Sequence, residues 1–225
     1  MSDRSSAAPK GRYSAFLFDM DGTILNSIAA AERIWGNWAH RHGLDIASFL
    51  PTIHGARAVD TVTRLALPGV DPEVEALKIT QAEIADVEGI IEIAGAAHFL
   101  RSLPTTKWAV VTSAPKALAI QRMKAADIPV PDVLVTAEDV PAGKPNPGCY
   151  LLAARKLGVD ASDCLVFEDA PVGIAAGEAA GATVVVVTST HTHPMTSHHP
   201  SIKNYASIFA KVDEDDGIRL EEQAA

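Results

Sequence analysis

Short apolar runs that alternate with helical patterns are the feature that most constrains the fold of this chain. The runs are rich in valine, leucine and phenylalanine and read AFLF (15–18), WAVVT (108–112), DVLVT (132–136), CLVF (164–167) and TVVVV (183–187). Such runs are typical of strands that are buried on both faces of a sheet. Helical patterns occupy residues 115–126, 147–157 and 171–180. The alternation predicts an α/β protein whose parallel sheet carries helices on both faces.

The ends of one predicted helix carry residues with known capping roles. Asn146 is expected at the N-cap and Pro147 at the first helical position. Gly158 stands where a glycine commonly ends a helix. In the helix predicted at 171–180, small residues such as Gly177 indicate close packing against the sheet.

Residues 26–95 break the alternation because they contain no convincing strand pattern. The segment NSIAAAERIWGNWAHRHG (26–43) has the periodicity of an amphipathic helix. Its apolar face is formed by Ile28, Ala31, Ile34, Trp35 and Trp38. Further helical patterns at 56–67 and 71–87 are separated by the turn PGVDP. We therefore expect three parts: an all-helical domain inserted at 26–95, a flexible tail at 1–12, and a core domain built from 13–25 and 96–225.

The composition limits which kinds of binding partner and which cellular location are expected for this protein. The chain has 28 acidic and 19 basic side chains and a net charge of -9, which argues against nucleic-acid binding. Cys149 and Cys164 lack the spacing of a metal site and fit a reducing compartment. No signal peptide or membrane-spanning pattern is present, so we expect a soluble cytoplasmic protein. The sequence does not indicate an oligomeric state, and a monomer is compatible with it.

Two aspartates follow the first apolar run, in FLFDMDGTIL (16–25). Residues i and i+2 of a strand point to the same side, so Asp19 and Asp21 would repel each other unless a cation or proton lies between them. At the carboxyl edge of a parallel sheet, such a pair faces the crevice where α/β proteins bind ligands. Carboxylate oxygens suit Mg²⁺, and a carboxylate can also attack a phosphate. A polar strand end, in which Asp21 and Gly22 form a turn, explains this short segment equally well.

The later strand ends carry further polar side chains. Thr112 and Ser113 end the second run, and Glu168 and Asp169 follow the fourth. Lys144 lies in a loop before a helix. Each has an ordinary explanation alone, since hydroxyls often cap helices and loop lysines are usually solvated. Their occurrence in order at successive strand ends is much harder to explain separately, and it indicates one site at the carboxyl edge of the sheet.

Four segments, DMDGT (19–23), TSA (112–114), GKPNP (143–147) and FEDAPVGIAAGEAAG (167–181), resemble the four motifs of the haloacid dehalogenase superfamily of phosphotransferases. They occur in the family's order, and the resemblance spans about residues 13–190. The helical insertion stands where that family has a helical cap. The resemblance implies a Rossmann-like core with an inserted cap domain, and Mg²⁺-dependent phosphoryl transfer.

The resemblance also implies a role for each acidic residue. Asp19 is the expected nucleophile, which carries the phosphoryl group and contributes to the metal site. Asp21 is the expected general acid and base, and its backbone carbonyl is expected to bind Mg²⁺. Asp169 is expected to bind Mg²⁺ directly, with Glu168 nearby or acting through a water molecule. These residues would form the catalytic and metal-binding part of the site.

The expected substrate contacts come from the core and from the cap. By resemblance, Thr112 and Ser113 hold phosphoryl oxygens, and Lys144 offsets the charge of the nucleophile and the phosphate. The cap segment HGARAVDTV is similar to the HG-x-R-x-x-D segment of glycerol-phosphate and 2-deoxyglucose-6-phosphate phosphatases. His54 and Arg57 of this segment are expected to add positive charge over the phosphate. We therefore predict a phosphatase for a small sugar- or polyol-phosphate ester.

Two other functions compete with this prediction. A β-phosphoglucomutase-like enzyme typically has a histidine on the first cap helix, where this chain has Ala31, so hydrolysis is favoured. A non-enzymatic phospho-acceptor domain also combines acids, a hydroxyl and a lysine at strand ends. Such domains are shorter, lack the helical insertion and have adjacent acids, which makes them a weaker alternative.

Two further segments attract attention because of their composition. HTHPMTSHH (191–199) contains four histidines, but it follows the last apolar strand and contains a proline, and we expect a plain loop. The acidic run VDEDDG (212–217) is expected to be a solvated turn.

Overall fold

The computed structural model describes residues 9–193, 195 and 197–222 of the chain. Its strands are β1 (Ala15–Phe18), β2 (Leu25–Asn26), β3 (Ile91–Glu92), β4 (Trp108–Val111), β5 (Val133–Val135), β6 (Cys164–Glu168), β7 (Thr183–Val187), β8 (Ser201–Ile202), β9 (Ile208–Val212) and β10 (Ile218–Glu222). Its helices are α1 (Ile28–Arg41), α2 (Ile46–Phe49), α3 (Ala58–Leu65), α4 (Pro72–Ala85), α5 (Ala96–Ser102), α6 (Lys116–Ala125), α7 (Gly148–Leu157) and α8 (Pro171–Ala179). Within these described ranges, no helix is both long and apolar enough to cross a membrane. Most of the predicted tail, residues 1–8, lies outside the described residues.

A six-stranded sheet with the order β5-β4-β1-β6-β7-β8 forms the centre of the fold. All neighbouring strands in this sheet are parallel. Each of the five apolar runs forms one of its strands, so the prediction of a parallel α/β core is confirmed. The sixth strand, β8, has two residues and is too short to give a recognisable pattern. Because β1 lies between β4 and β6, the residues that follow these three strands meet at one edge.

The predicted ends of α7 and the predicted close packing of α8 can be compared with the structure. Pro147 occupies the N-cap position of α7, so this helix begins one residue later than predicted. Asn146 Oδ1 still accepts a hydrogen bond from the Gly148 amide at 2.9 Å and satisfies a free donor of the first turn. Gly158 ends α7 with a φ of +75°, a left-handed conformation that glycine adopts readily. A Cβ atom at Gly177 would lie 3.0 Å from a side chain of β7, so α8 packs closely on the sheet, as predicted.

Aromatic side chains fill the core on one face of the sheet. The rings of Phe18 and Phe167, on neighbouring strands, stack with their centroids 4.4 Å apart. Phe16, Phe99 and Tyr205 pack around them, and all five side chains are buried. The opposite face carries mainly valine, alanine and leucine side chains under α7 and α8. Apolar layers therefore cover the sheet from both sides.

The inserted helices α1–α4 form a separate apolar cluster. Trp35, Trp38 and Phe49 pack together in it, with ring centroids 5.7–5.9 Å apart. Trp38 Nε1 donates a hydrogen bond to Glu75 Oε2 at 3.0 Å, which joins α1 to α4. The predicted apolar face of α1 is buried at Ala31 and at both tryptophans. The insertion therefore has its own small core, distinct from the core on the sheet.

Two short strands correct the prediction that residues 26–95 are entirely helical. β2 and β3 pair in antiparallel orientation, with Leu25 opposite Glu92 and Asn26 opposite Ile91. The chain leaves the core and returns to it side by side at this point, and the pairing satisfies backbone groups of both crossings. Strands of two residues are too short to produce an alternating pattern, which is why they were not predicted. The division into domains at 26 and 95 stays a prediction.

The antiparallel hairpin of β9 and β10 was not predicted from the sequence. The acidic run 212–217 extends from the end of β9 through the turn between the two strands. Tyr13 and Ile218 exchange two backbone hydrogen bonds of 2.8 Å, so the hairpin is attached to the chain just before β1. The C-terminal segment thus belongs structurally to the core.

Replacement of Phe167 by alanine tests the aromatic core. Phe167→Ala is expected to lower the free energy of unfolding by about 3–5 kcal/mol, because it leaves a cavity where the ring is fully buried. Urea denaturation followed by circular dichroism measures the change. Phe209→Ala is the control, since Phe209 is 37% exposed and its loss should cost only about 0.5 kcal/mol. Similar losses in the two variants would contradict this description of the core.

Candidate active site

The polar residues that follow β1, β4 and β6 lie together at the carboxyl edge of the sheet. Asp19 comes directly after β1, and its amide donates to the Phe167 carbonyl at 2.9 Å. Thr112 comes directly after β4, and Asp169 directly after β6. The parallel order of these strands places all three residues on one wall of the same cavity. The sequence prediction that one edge gathers these side chains therefore agrees with the geometry.

Lys144 connects two of the carboxylates. Its Nζ atom lies 2.6 Å from Asp19 Oδ1 and 2.6 Å from Glu168 Oε1, and it also donates to the Val111 carbonyl at 3.2 Å. The side chain is 2% exposed. Burial alone would lower the pKa of this ammonium group, but the charges of Asp19 and Glu168 outweigh it and raise the pKa well above the usual value. Lys144 is therefore a permanent positive charge beside the candidate nucleophile.

Glu168 is almost fully buried and is bound by protein donors at both oxygens. Its Oε1 atom accepts from Lys144 and from the Tyr150 hydroxyl, the latter at 2.8 Å. Its Oε2 atom accepts from the amides of Asp169 and Ala170 at 3.0 and 3.2 Å. These contacts make Glu168 the anchor that fixes Lys144. Tyr150, which sequence analysis did not single out, lies on α7 and reaches the site because that helix packs on the sheet.

Asp19, Glu168 and Asp169 form an acidic cluster whose ligand atoms all lie within 4.8 Å of one another. Burial, and then the charge of Glu168, raises the pKa of Asp19 to about 7, although Lys144 opposes the shift. Burial and the charges of Asp19 and Glu168 also raise the pKa of Asp169 well above its usual value. A cation between these carboxylates would relieve the repulsion. The all-oxygen donor set fits a hard divalent cation.

Gly22 makes room for the Asp169 carboxylate. A Cβ atom at Gly22 would lie only 2.1 Å from Asp169 Oδ2, and the residue has a φ of +87°. Both facts require glycine here. The next residue, Thr23, donates through its hydroxyl to Asp169 Oδ1 at 3.3 Å. The turn after Asp21 therefore holds the carboxylate of Asp169 from the opposite side of the site.

Asp21 lies at the boundary between the core and the inserted helices. Its Oδ1 atom accepts from the Ser27 hydroxyl at 2.5 Å and from Arg122 Nη1 at 3.0 Å. The other end of the guanidinium, Arg122 Nη2, donates to Glu83 Oε1 at 2.9 Å. Ser27, Glu83 and Arg122 are not among the site residues predicted from the sequence. No motif marks them, and charged residues inside helices usually face solvent.

The hydroxyl residues after β4 have different partners. Thr112 Oγ1 accepts from the Ala114 amide at 3.0 Å, which leaves its own proton available to a ligand. The Ser113 hydroxyl donates to the Gly55 carbonyl at 2.9 Å. Gly55 belongs to the inserted segment, so this bond ties the insertion to the edge of the sheet.

A cavity of about 460 Å³ lies between the carboxyl edge and the inserted helices. The predicted site residues that line it are Asp19, Asp21, Thr112, Ser113, Asp169 and His54. Polar side chains of the insertion face it as well, among them Glu32, whose Oε1 atom lies 3.6 Å from His54 Nε2. The cavity is therefore acidic at its base, and on the side of the insertion it combines polar side chains with apolar ones such as Trp35.

Arg57, at the start of α3, lies beside Lys144 and pairs with a neighbouring aspartate. Its guanidinium forms two hydrogen bonds with Asp60, of 2.7 and 2.8 Å, and its Nη1 atom reaches the carbonyls of Val140 and Pro141 at 3.5 and 3.4 Å. It borders a separate cavity of about 10 Å³ beside Lys144. Arg57 thus does not line the larger cavity with His54, because the nearby Asp60 holds its guanidinium. The predicted role of Arg57 over the phosphate stays a prediction.

The described residues of the histidine-rich segment form a loop, as predicted, and part of this loop lines the cavity. His191 Nε2 lies 2.8 Å from the Asp169 carbonyl oxygen, so this nitrogen carries the proton in that contact. His191, His193 and Met195 line the cavity. Farther along, His198 and His199 contact Glu178 of α8. Of the predicted segment, Pro194 and Thr196 lie outside the described residues.

Comparisons with known proteins identify the family. The haloacid dehalogenase-like hydrolase family matches residues 13–181. The chain is 41% identical over 180 residues to hexitol phosphatase A of Escherichia coli, covering 78% of this chain and 83% of that protein. It is 35% identical over 192 residues to glycerol-1-phosphate phosphohydrolase 1 of Saccharomyces cerevisiae, covering 80% of this chain and 76% of that protein.

A solved structure with the same fold agrees with these matches. The crystal structure of a hydrolase from Pseudomonas syringae superimposes with a TM-score of 0.69 and 29% identity, covering 80% of this chain and 85% of that one. This protein belongs to the haloacid dehalogenase-like hydrolases, and it is an enzyme.

Proposed function

We propose that this protein is a Mg²⁺-dependent phosphatase that hydrolyses a small sugar- or polyol-phosphate ester through an aspartyl phosphate on Asp19. The observation that carries the proposal is the pair of ion contacts from buried Lys144 to Asp19 and Glu168, next to Asp169 and below the cavity of about 460 Å³. A nucleophilic carboxylate, a fixed positive charge and an oxygen-rich cation site are the parts that phosphoryl transfer needs.

In the first step, Asp19 attacks phosphorus and the bond to the ester oxygen breaks. The proton of the Asp21 carboxyl group moves to that oxygen, so the alcohol leaves neutral. Lys144 offsets the negative charge of the transferring group, and the Thr112 hydroxyl donates to one of its oxygens. Asp19, Asp169 and the Asp21 carbonyl would hold Mg²⁺, which when bound supplies positive charge against the carboxylates and the phosphoryl oxygens.

In the second step, water hydrolyses the aspartyl phosphate. Asp21, now ionised, accepts a proton from the attacking water, and Asp19 is released as a carboxylate. The insertion covers the site through the bond from Ser113 to Gly55 and limits the entry of bulk water. Asp21 therefore acts once as an acid and once as a base in each cycle.

The size and lining of the cavity support a small polyhydroxylated leaving group. About 460 Å³ is at the lower end of the range for small-molecule sites. His54 and Glu32 of the insertion line the cavity beside apolar residues such as Trp35, and they are placed to bind the hydroxyl groups of a sugar or polyol. The relatives named for hexitol and glycerol 1-phosphate hydrolysis support the same substrate class.

Two further observations support parts of this proposal. Ala31 lines the cavity at the helix position where a β-phosphoglucomutase-like enzyme typically has histidine, which favours hydrolysis over a mutase.

The cysteines Cys149 and Cys164 are free and buried, which supports a reducing, cytoplasmic location.

The nucleophile can be tested by replacing Asp19. Asp19→Asn is expected to remove Mg²⁺-dependent phosphate release, because an amide cannot form the acyl phosphate. A colorimetric phosphate assay over a panel of sugar and polyol phosphates measures turnover, and it also ranks the substrates. Asp132→Asn, at an exposed aspartate, is the matched control and should retain wild-type turnover. Normal turnover in Asp19→Asn would show that the nucleophile is assigned wrongly.

The acidic cluster predicts a pH dependence of stability. The pKa of Asp19 is about 7 in the cation-free folded protein against 3.8 ordinarily, so the folded state binds more protons than the unfolded chain between these values. The free energy of unfolding should therefore fall as the pH rises from about 4 to about 7. Mg²⁺ competes with that proton, so it should raise the melting temperature more at pH 8 than at pH 5.

Thermal denaturation with and without Mg²⁺ checks this expectation. Asp169→Asn removes one carboxylate of the cluster, and in this variant the stabilisation by Mg²⁺ should be much smaller. A Mg²⁺ effect that is equal at both pH values, or that survives in Asp169→Asn, would contradict a cation site at this cluster.

His54 tests the contribution of the insertion to substrate binding. His54→Ala is expected to lower kcat/KM for a polyol phosphate by about tenfold, because the cavity loses a hydrogen-bonding side chain. His40→Ala, at an exposed position on α1, is the control and should leave kcat/KM unchanged. Steady-state kinetics on both variants separate the two outcomes, and equal values would remove His54 from the substrate site.

A further inference from the structure

We propose that Arg122 is a positioning residue for the general acid, and that Glu83 of the insertion holds Arg122 in place for this task. The inference rests on the proposed function, in which Asp21 gives a proton to the leaving oxygen. In this arrangement the orientation of the acid depends on contact between the core helix α6, which carries Arg122, and the inserted helix α4, which carries Glu83.

The first observation is the burial of both charges. The side chains of Arg122 and Glu83 are 7% and 8% exposed, and their atoms Nη2 and Oε1 lie 2.9 Å apart. Burial alone would lower the pKa of Arg122, but the charges of Asp21 and Glu83 raise it, so the guanidinium stays charged. Burying an ion pair is costly and often contributes little to net stability compared with apolar residues. A pair retained beside the general acid therefore points to a role in orientation.

The second observation is the pattern of hydrogen bonds on Asp21. Within the described part of the chain, the side-chain bonds to this carboxylate come from Ser27 and Arg122, and both end on Oδ1. Two donors from different directions fix the plane of the carboxylate. The Oδ2 atom is left for the proton that passes to the leaving oxygen. Asp21 Oδ1 is thus the oxygen held by protein donors, and Asp21 Oδ2 is the oxygen that carries the reacting proton.

The third observation is an unsatisfied donor on the guanidinium. Arg122 Nε is buried and, among the described residues, has no hydrogen-bond partner. Leaving such a buried donor unpaired is energetically unfavourable. The guanidinium is therefore oriented by its two carboxylate partners, Asp21 on the core side and Glu83 on the insertion side, and not by the pairing of all its donors.

The chemical consequence is that proton transfer from Asp21 depends on the contact between the inserted helix α4 and the core helix α6. When α4 lies against α6, Glu83 and Arg122 hold Asp21 ready to protonate the ester oxygen as the P–O bond breaks. The bonding electron pair goes to that oxygen, the proton comes from Asp21, and Arg122 keeps its own protons throughout. When α4 moves away, Arg122 loses one of its two anchors and Asp21 is less well oriented.

Two aryl esters of similar shape test this inference. Phenyl phosphate and 4-nitrophenyl phosphate have similar rings, but phenolate leaves poorly without a proton and 4-nitrophenolate leaves readily. Arg122→Gln should lower kcat/KM for phenyl phosphate by about tenfold or more and change the value for 4-nitrophenyl phosphate by less than about threefold. Because kcat/KM reports the step that transfers phosphate to Asp19, the later hydrolysis does not affect the comparison.

Matched variants strengthen the test. Arg122→Lys keeps a positive charge and should recover part of the phenyl phosphate activity. Glu83→Gln removes the anchor on the insertion side and should give a smaller loss with the same leaving-group preference. Arg101→Gln disrupts an exposed ion pair with Asp127 and should match the wild type with both esters. If thermal denaturation shows that Arg122→Gln is unfolded, the same ratio measured in Glu83→Gln decides the question.

Each outcome has a separate meaning. Equal losses with the two esters, or no loss with either, would overturn the positioning role of Arg122 while leaving the proposed function intact. Failure of the wild-type enzyme to hydrolyse any of the sugar, polyol or aryl phosphates in the presence of Mg²⁺ would overturn the proposed function itself. A selective loss with phenyl phosphate supports the inference, since a defect in ring binding would affect both esters alike.

Discussion

The buried ion contacts of Lys144 are the interaction on which the arrangement of this site depends. Asp19, Glu168 and Asp169 crowd at one edge of the sheet, and their mutual repulsion opposes folding until a positive charge lies among them. Lys144 supplies such a charge, and Tyr150 helps to hold Glu168 so that the ammonium group cannot turn away. The contact that offsets the repulsion within the cluster is also the one that, in the proposed function, offsets the charge of a phosphoryl group.

The residues that meet at the carboxyl edge of the sheet could be predicted, because parallel strands all end at the same edge. Once AFLF, WAVVT and CLVF are recognised as neighbouring buried strands, the residues that follow them must meet, whatever the intervening chain does. Asp19, Thr112 and Asp169 were found in this way, and their order matched a known family. Lys144 was found through its motif and not through strand periodicity, since it lies in a loop before α7.

The remainder of the site depends on tertiary packing that no local pattern reports. Glu83 and Arg122 lie in helical segments that also carry exposed charges such as Glu73 and Lys124, and they are buried because α4 docks on α6. Arg57 is the opposite case. It belongs to a recognisable motif, but its guanidinium is hydrogen-bonded to the neighbouring Asp60. The two-residue strands β2 and β3 and the wall formed near His191 arise from chain geometry. These features become visible only when distant segments are brought together.

The narrow attachment of the insertion has an evolutionary consequence. The chain leaves the core at Leu25 and returns at Glu92, and these residues are paired directly with each other. Because the ends of the inserted segment are already adjacent, a segment of another length can be accommodated there at a small entropic cost, about 0.6 kcal/mol for each doubling. The central sheet and its carboxylates need not change. In related proteins, changes in the inserted segment would therefore alter which leaving alcohol is accepted, while the residues at the edge of the sheet stay the same.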